Sequence, residues 1–280
     1  MERLQEILAK ANIMARTSEP MTPEEWEKFK ADDYNKTQGS LDDGYDCPIC
    51  LNKGDIWRAV QDARGWWTHV SADCKCMVIR RTIRRMQRSG LKNIIRDYTF
   101  DKFIATEPWQ QTIKGAAMEY AKHPEGWFFI GGQSGAGKSH ICTAICREFL
   151  LAGREVKYML WRDDVVQLKG AVTDAEEYGS LMDHYKKVDI LYIDDLFKTG
   201  KAPDGAKQRP TAADVNAAFE ILNYRYNDPK KLTLISSECT IDDILDIDEA
   251  VGGRIFERAK AFSLKPDKRR NYRLRGATEL

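Results

Sequence analysis

A chain of 280 residues that is 42% apolar and 31% charged can bury a sizeable core, and its length fits about two domains. A net charge of +1 gives no overall attraction to an anionic or cationic partner. No apolar run approaches the roughly 18 residues of a membrane-crossing helix, so no membrane partner is expected. Met1 to Arg16 carries acids from its second residue and no apolar stretch before a cleavage site. A cytoplasmic location is therefore expected, with the seven cysteines reduced and available for metal binding or burial.

Residues 1–15 read as an amphipathic helix with Leu4, Ile7, Leu8 and Ala11 on one face. A second helix should begin at Thr22-Pro23-Glu24-Glu25, where Thr22 caps, Pro23 suits the first turn and Glu25 completes a capping box. Residues 35–46 are polar and rich in Gly and Asp, as a linker is. Cys47-Pro-Ile-Cys50 and Cys74-Lys-Cys76 follow, 23 residues apart. Four thiolates from two knuckles suit Zn²⁺ in a closed tetrahedral site. Four free buried thiols and an iron–sulfur cluster remain as alternatives. His69 is a spare candidate ligand, better read as a packed or surface residue. Trp57, Trp66 and Trp67, between the knuckles, read as hairpin core.

Charge is unevenly spread. Residues 1–73 carry nine Lys/Arg against fourteen Asp/Glu, while residues 74–96 carry eight Lys/Arg and no acid. Over a helix at 77–89, stopped by Gly90, Arg80, Arg81, Arg84, Arg85 and Arg88 cover one side. Ile79, Ile83 and Met86 cover the other. Without balancing acids, such a face suits an anionic partner, either nucleic acid or an acidic protein surface.

From Gly126 the pattern changes. Trp127–Ile130, Val156–Trp161, Val188–Ile193, Leu232–Ser236 and Ala261–Leu264 are short apolar runs that read as buried strands. The segments between them have helical periodicity, so a parallel α/β sheet covered on both faces is expected. Gly132-Gln133-Ser134-Gly135-Ala136-Gly137-Lys138-Ser139 matches the phosphate-binding loop G-x-x-x-x-G-K-S, between a predicted strand and a predicted helix. These residues and His140 are the expected ATP contacts. Lys138 should reach the β- and γ-phosphates and Ser139 should bind Mg²⁺. Val188 to Asp195 is an apolar strand ending in two acids. Asp194 would hold Mg²⁺ through water, and Asp195 would orient or deprotonate the attacking water. The Gly/Pro/Lys stretch 198–210 reads as a loop. Cys142, Cys146 and Cys239 read as buried small apolar residues.

The ordered set of motifs resembles bacterial and phage helicase loaders of the DnaC/DnaI type, within the AAA+ ATPases. Beyond the cysteines, the arginine helix and the phosphate loop, it includes Tyr98-Thr-Phe100-Asp-Lys-Phe103, Ile193-Asp-Asp-Leu196, Asn223-Tyr-Arg-Tyr226, Leu234-Ile-Ser-Ser-Glu238 and Gly252-Gly-Arg254-Ile-Phe-Glu-Arg258. The resemblance implies an AAA+ P-loop ATPase with a five-stranded parallel sheet and a small N-terminal helical and zinc-binding domain. It implies N-terminal helices and a linker at 1–46, a zinc module at 47–76, a basic helix and linker at 77–97, and the ATPase domain at 98–280. Tyr98 and Phe100 would pack near the nucleotide. Arg254 would act as an arginine finger on a neighbour's ATP, with Arg258 its companion. Glu238 stands where such proteins commonly carry Asn, and its carboxylate cannot donate to a phosphate. Either Ser237 takes over or hydrolysis is weak. Asp195 stands where many relatives carry Glu, which suits a slow switch. The implied partners are the replicative helicase, single-stranded DNA within the segment 161–187, and further copies of the chain. A transposase helper of the IstB type is the rival within the class. A zinc-dependent nucleic-acid-binding module using ATP as a structural ligand is the rival outside it.

Overall fold

The computed structural model describes residues 21–88, 91, 93–200, 208–267 and 270–272. The expected helix at 1–15 and positions 201–207 of the expected loop lie outside the described residues. The chain divides into two compact units. One holds described residues 21–42 and 46–77, the other residues 43–45 and 78 onward.

In the first unit, helix α1 (Pro23–Lys36) starts on the expected capping box. The Glu25 N–H donates to Thr22 Oγ1 at 3.3 Å and the Thr22 N–H to Glu25 Oε2 at 2.8 Å. Strands β1 (Asp55–Gln61) and β2 (Trp67–Asp73) form an antiparallel hairpin with Ala59 opposite His69. One face lies on α1, where the Trp57 ring stacks between Tyr34 at 4.1 Å and His69 at 4.3 Å. Asn35 accepts from the Trp57 N–H at 3.0 Å and donates to its carbonyl at 2.9 Å. His69 Nδ1 sits 2.8 Å from Glu27 Oε2, so His69 is packed. The tryptophans do not all form hairpin core: Trp66 is 71% exposed. The Asp62–Gly65 turn, pinned by Asp62 Oδ1 accepting from the Arg64 and Trp66 N–H groups, carries Trp66 at the hairpin tip.

Helix α2 (Cys76–Arg88) starts in the first unit and continues into the second. After it come α3 (Ile94–Asp97), α4 (Pro108–Lys122), β3 (Trp127–Gly132), α5 (Lys138–Leu151), β4 (Val156–Leu160), α6 (Trp161–Gly170) and α7 (Ala175–Lys186). Then follow β5 (Ile190–Leu196), α8 (Ala212–Tyr226), β6 (Leu232–Ser237), α9 (Ile241–Ile247), α10 (Glu249–Arg258) and β7 (Ala259–Leu264). The five strands from β3 on form one sheet in the order β4-β5-β6-β3-β7, every pair parallel. Successive side chains of a strand point to opposite faces. Phe128 and Ile130 accordingly join a core with Ile113, Ile141, Ile145 and Phe149 of α4 and α5. Trp127 and Phe129 join the opposite core, with Val165, Leu168, Ile221, Leu222 and Ile255 of α6, α8 and α10. Both faces are covered, which is why the strands read as unbroken apolar runs. Arg225 of α8 is fully buried and donates to the carbonyls of Val188, Leu232 and Asp189 at 2.6, 2.6 and 3.2 Å, tying together the starts of β5 and β6. Among the described residues no helix is long and apolar enough to cross a membrane.

The arginine side of α2 is not one open face. Arg80 is fully buried, paired with Asp43 and donating to the Tyr45 carbonyl at 2.8 Å. Arg85 pairs with the buried Asp164 and donates through Nε to the Tyr158 carbonyl at 3.1 Å. Thr82 donates to the Val156 carbonyl at 2.7 Å. Alternate carbonyls of the edge strand β4 are thereby occupied by side chains of α2, one way a sheet edge is protected from pairing with another chain. The balancing acids exist, but they lie far from the helix in sequence.

Candidate functional site

Strand β3 delivers the chain into the loop Gly132–Gly137 at the carboxyl edge of the sheet. Gly132 has φ +112°, and a Cβ there would stand 2.1 Å from the Leu264 carbonyl oxygen. Gly137 has φ +86°, and a Cβ would strike the Phe103 ring at 2.8 Å. Only glycine meets both demands. Lys138 opens α5, is 5% exposed, and donates through Nζ to the Gly132 and Gln133 carbonyls at 2.8 Å each. Burial lowers its pKa. The Lys138 ammonium thus rests on its own loop, in place to exchange these carbonyls for phosphate oxygens.

Asp194 is set more firmly than the motif implied. Its Oδ1 accepts from Ser139 Oγ at 3.1 Å, from Tyr192 OH at 2.8 Å and from Ser236 Oγ. Its Oδ2 accepts from Tyr158 OH at 2.9 Å. Four hydroxyl donors fix the direction of the carboxylate. A hydroxyl and a carboxylate side by side are a donor set that fits Mg²⁺, which takes oxygen ligands. Asp195 follows with φ +60° and its N–H on Ser236 Oγ at 3.1 Å. Burial pushes the Asp195 carboxyl above its ordinary range, against the pull of its hydrogen bond from Lys198.

Lys138, Ser139, Asp194 and Asp195 line one cavity of about 540 Å³, together with Lys198 and Glu238. Its other wall carries Tyr98, Phe103, Ile104 and Tyr272. The His140 ring lies 5.2 Å from Tyr98 and 5.5 Å from Phe103, and His140 Nε2 is 2.9 Å from the Thr99 carbonyl. Burial lowers the His140 pKa. The Tyr272 N–H donates to the Gly135 carbonyl at 2.9 Å and its hydroxyl to the Ile104 carbonyl at 2.6 Å. Tyr272 had no motif to announce it.

Some expected contacts fall elsewhere. Phe100 is packed in the core beneath, and Phe103 is the phenylalanine that lines the cavity. Ser237 is fully buried, its hydroxyl donating to the Leu196 carbonyl at 2.6 Å and accepting from the Cys239 N–H at 3.0 Å, so it does not replace a missing phosphate donor. The Gln133 side chain accepts from the Asp267 N–H at 2.5 Å. Arg254 lies over Phe219 and Tyr226, with Nε donating to Asn223 Oδ1 at 3.0 Å. Arg258 lies over Tyr226. Neither lines the chain's own cavity.

In the first unit, Cys47, Cys50, Cys74 and Cys76 are all buried, with sulfurs within 4.8 Å of one another. Cys47 and Cys74 sulfurs are 3.8 Å apart, Cys50 and Cys76 sulfurs 3.5 Å. A tetrahedron with Zn–S near 2.3 Å has edges of about 3.8 Å, so the residues fit one zinc ion. Burial opposes ionisation of Cys50, but the Gly54 N–H and the neighbouring thiols outweigh it and bring that thiol down to about 7. The other cysteines are buried as expected, and burial raises the thiols of Cys142 and Cys146.

A phosphate loop closing on a strand-end acid pair in an all-parallel five-stranded sheet defines a nucleotide-binding P-loop fold, the AAA+ class the resemblance implied. The chain belongs to the family of the bacterial DnaA ATPase domain, whose profile matches residues 94–255, more than half its length. It is 35% identical over 212 residues to the uncharacterized protein YqaM of Bacillus subtilis, covering 71% of this chain and 64% of that one. It is 32% identical over 224 residues to the phage-like element PBSX protein XkdC of Bacillus subtilis, covering 76% and 79%. The replicative helicase loader DnaC of Escherichia coli K12 is 28% identical over 117 residues, 40% of this chain and 48% of DnaC. The chain thus spans under two thirds of YqaM and about half of DnaC. The similarity to DnaC expected from the motifs is found over that segment.

Proposed function

We propose that this protein is an ATP-dependent loader that places the replicative helicase on single-stranded DNA at the start of replication. The observation that carries the reading is the gathering of Lys138, Ser139, Asp194 and Asp195 in one cavity, in a chain of the DnaA ATPase family similar to DnaC. ATP would lie with its base toward Tyr98 and Phe103 and its phosphates on the loop 132–139. Lys138 would exchange its backbone partners for the β- and γ-phosphates. Mg²⁺, held by Ser139 and Asp194, supplies charge neutralisation on the phosphates when bound. Asp195 orients a water and takes its proton as the water oxygen bonds to the γ-phosphorus. The bond from that phosphorus to the bridging oxygen breaks, leaving ADP and inorganic phosphate. Asp195 must be ionised to do this, and the burial that raises its pKa makes it a better base near neutrality.

Arg254, with Arg258 beside it, would complete the charge cage on ATP held by a neighbouring copy. In support, both stand apart from their own chain's cavity, as a group acting in trans must. Assembly of copies is therefore part of the proposal, as are one zinc ion on Cys47, Cys50, Cys74 and Cys76 and contact between DNA and the segment 161–187. The first unit would grip the helicase. Its described residues, 21–42 and 46–77, hold ten acids against seven Lys/Arg, which disfavours DNA there. Trp26 and Trp66, 47% and 71% exposed, are suited to anchoring a protein partner.

The test is a pull-down from host lysate with the full chain, scored for the replicative helicase against transposase. Recovery of the helicase, lost on removal of the zinc unit, supports the proposal. Recovery of transposase alone contradicts it.

A further inference from the structure

We propose that Lys198 is the residue that recognises the γ-phosphate from the sheet side of the cavity, held in place by Glu238. This rests on the ATP reading above and answers a question that reading leaves open. Glu238 lines the cavity, and a carboxylate has no proton to offer a phosphate. Beside two further acids, Asp194 and Asp195, it would repel the substrate.

The geometry supplies the missing donor. Lys198 Nζ stands 2.7 Å from Asp195 Oδ2 and 3.3 Å from Glu238 Oε1. All three side chains line the cavity that Lys138 and Ser139 line. An ammonium has three N–H donors. Two carboxylates occupy two of them among the described residues, which leaves a third for a phosphate oxygen.

The backbone is bent to put Lys198 there. Strand β5 slips register against β6 between Ile193 and Leu196. Asp195 and Phe197 then take φ of +60° and +59°, values that non-glycine residues adopt at a cost. The turn is held from three sides. Phe197 is fully buried edge-on to Trp161 at 5.6 Å, the Lys198 N–H donates to the Asp195 carbonyl at 2.9 Å, and the Asp195 N–H donates to Ser236. Lys198 is thereby folded back over the strand end, its side chain 33% exposed. Turns of this kind persist where surrounding structure over-determines them, and they cluster at ligand sites.

ADP has no γ-phosphate, so the contact is made with ATP alone. Lys198 is a substrate-contacting residue, and Glu238 is the positioning residue that holds it. As the ammonium leans toward the phosphate, its hold on Asp195 weakens and that carboxylate is freed to take a proton from water.

The experiment measures affinities of the full chain for a non-hydrolysable ATP analogue and for ADP, both with Mg²⁺, and single-turnover hydrolysis. Loss of one charge-assisted hydrogen bond should cost Lys198→Met about tenfold or more in analogue affinity, with ADP affinity unchanged within about twofold. Hydrolysis should slow in the same variant, and Lys198→Arg should keep most of the analogue-to-ADP ratio. Lys198→Gln, which still hydrogen-bonds Asp195 and Glu238, gives the same readout should Lys198→Met not fold. An unchanged ratio in wild type and the neutral variants overturns the proposal. So does faster hydrolysis in Lys198→Met, which would make Lys198 a lock on Asp195. A wild-type chain that binds neither nucleotide overturns the ATP reading itself, whereas normal wild-type turnover with an unchanged ratio overturns Lys198 alone.

Discussion

In the unit of residues 21–42 and 46–77, the buried apolar side chains among the described residues are Ala31 and four cysteines. In the other unit, strand β3 alone buries Trp127, Phe128, Phe129 and Ile130, with helices on both sides of its sheet. The first unit is capped, stacked and hydrogen-bonded, yet removes little hydrocarbon from water. Small units of that kind need a staple. The cysteine cluster provides the geometry for one, while the sheet needs none. What the proposed ATP site in the sheet unit lacks is chemical: among the described residues its lining carries a loop lysine, an acid pair and Lys198 but no arginine. One region is short of stabilising contacts, the other of a catalytic charge.

Metal removal should separate the two regions most sharply. Structural zinc contributes apparent free energies of roughly 10–16 kcal/mol in small zinc domains at neutral pH. Elemental analysis should give about one zinc per chain, lost in Cys74→Ser/Cys76→Ser. The hairpin resonances of that variant should collapse in NMR spectra while ATP binding persists. A metal-free hairpin that stays folded would break the contrast.

The missing charge is tested next. Fingers in P-loop enzymes contribute about 10³–10⁵ in rate, so Arg254→Ala should all but abolish turnover without loss of ATP binding. Mixed with Lys138→Ala protein, it should regain part of its DNA-stimulated activity, since one variant keeps the ATP site and the other the arginine. No recovery for Arg254 or Arg258, with co-assembly demonstrated, would leave the sheet unit self-sufficient and favour ATP as a structural ligand.

The smallest effect lies on α2. Arg85→Ala should destabilise the nucleotide unit by about 1–3 kcal/mol, because it strands the buried Asp164 and opens the Tyr158 carbonyl. Arg88→Ala, at an exposed position, should stay within about 0.5 kcal/mol. Equal chemical-denaturation midpoints for the two would mean that the arginine side is an open face after all.

These effects also show what a sequence can carry. The strands of the sheet were legible because burial on both faces leaves apolar runs, and the phosphate loop because its glycines, lysine and serine are adjacent. The four-cysteine cluster was legible for the same reason: each knuckle is local. Partners distant in sequence were not. Asp43 lies 37 residues before Arg80 and Asp164 lies 79 after Arg85, so a helix with no acids of its own looked unbalanced. Between Phe100 and Phe103, the turn decided which ring met the cavity, and a motif of two equivalent aromatics gave no sign of it. Lys198 reads as the start of a loop, because nothing in Leu196-Phe-Lys198 announces the positive φ of Asp195 and Phe197. Ser237 offered a hydroxyl in the right place along the chain, but a neighbouring carbonyl had already taken it.

The central claim is that ATP at Lys138 powers placement of a helicase on DNA. It is tested most directly by incubating the host replicative helicase with closed-circular single-stranded DNA, which has no end to thread, and measuring helicase retained on the circle. The account predicts retention with the full chain and ATP, and loss of it with Lys138→Ala or without ATP. Equal retention with wild type, with Lys138→Ala and with no added chain would contradict it.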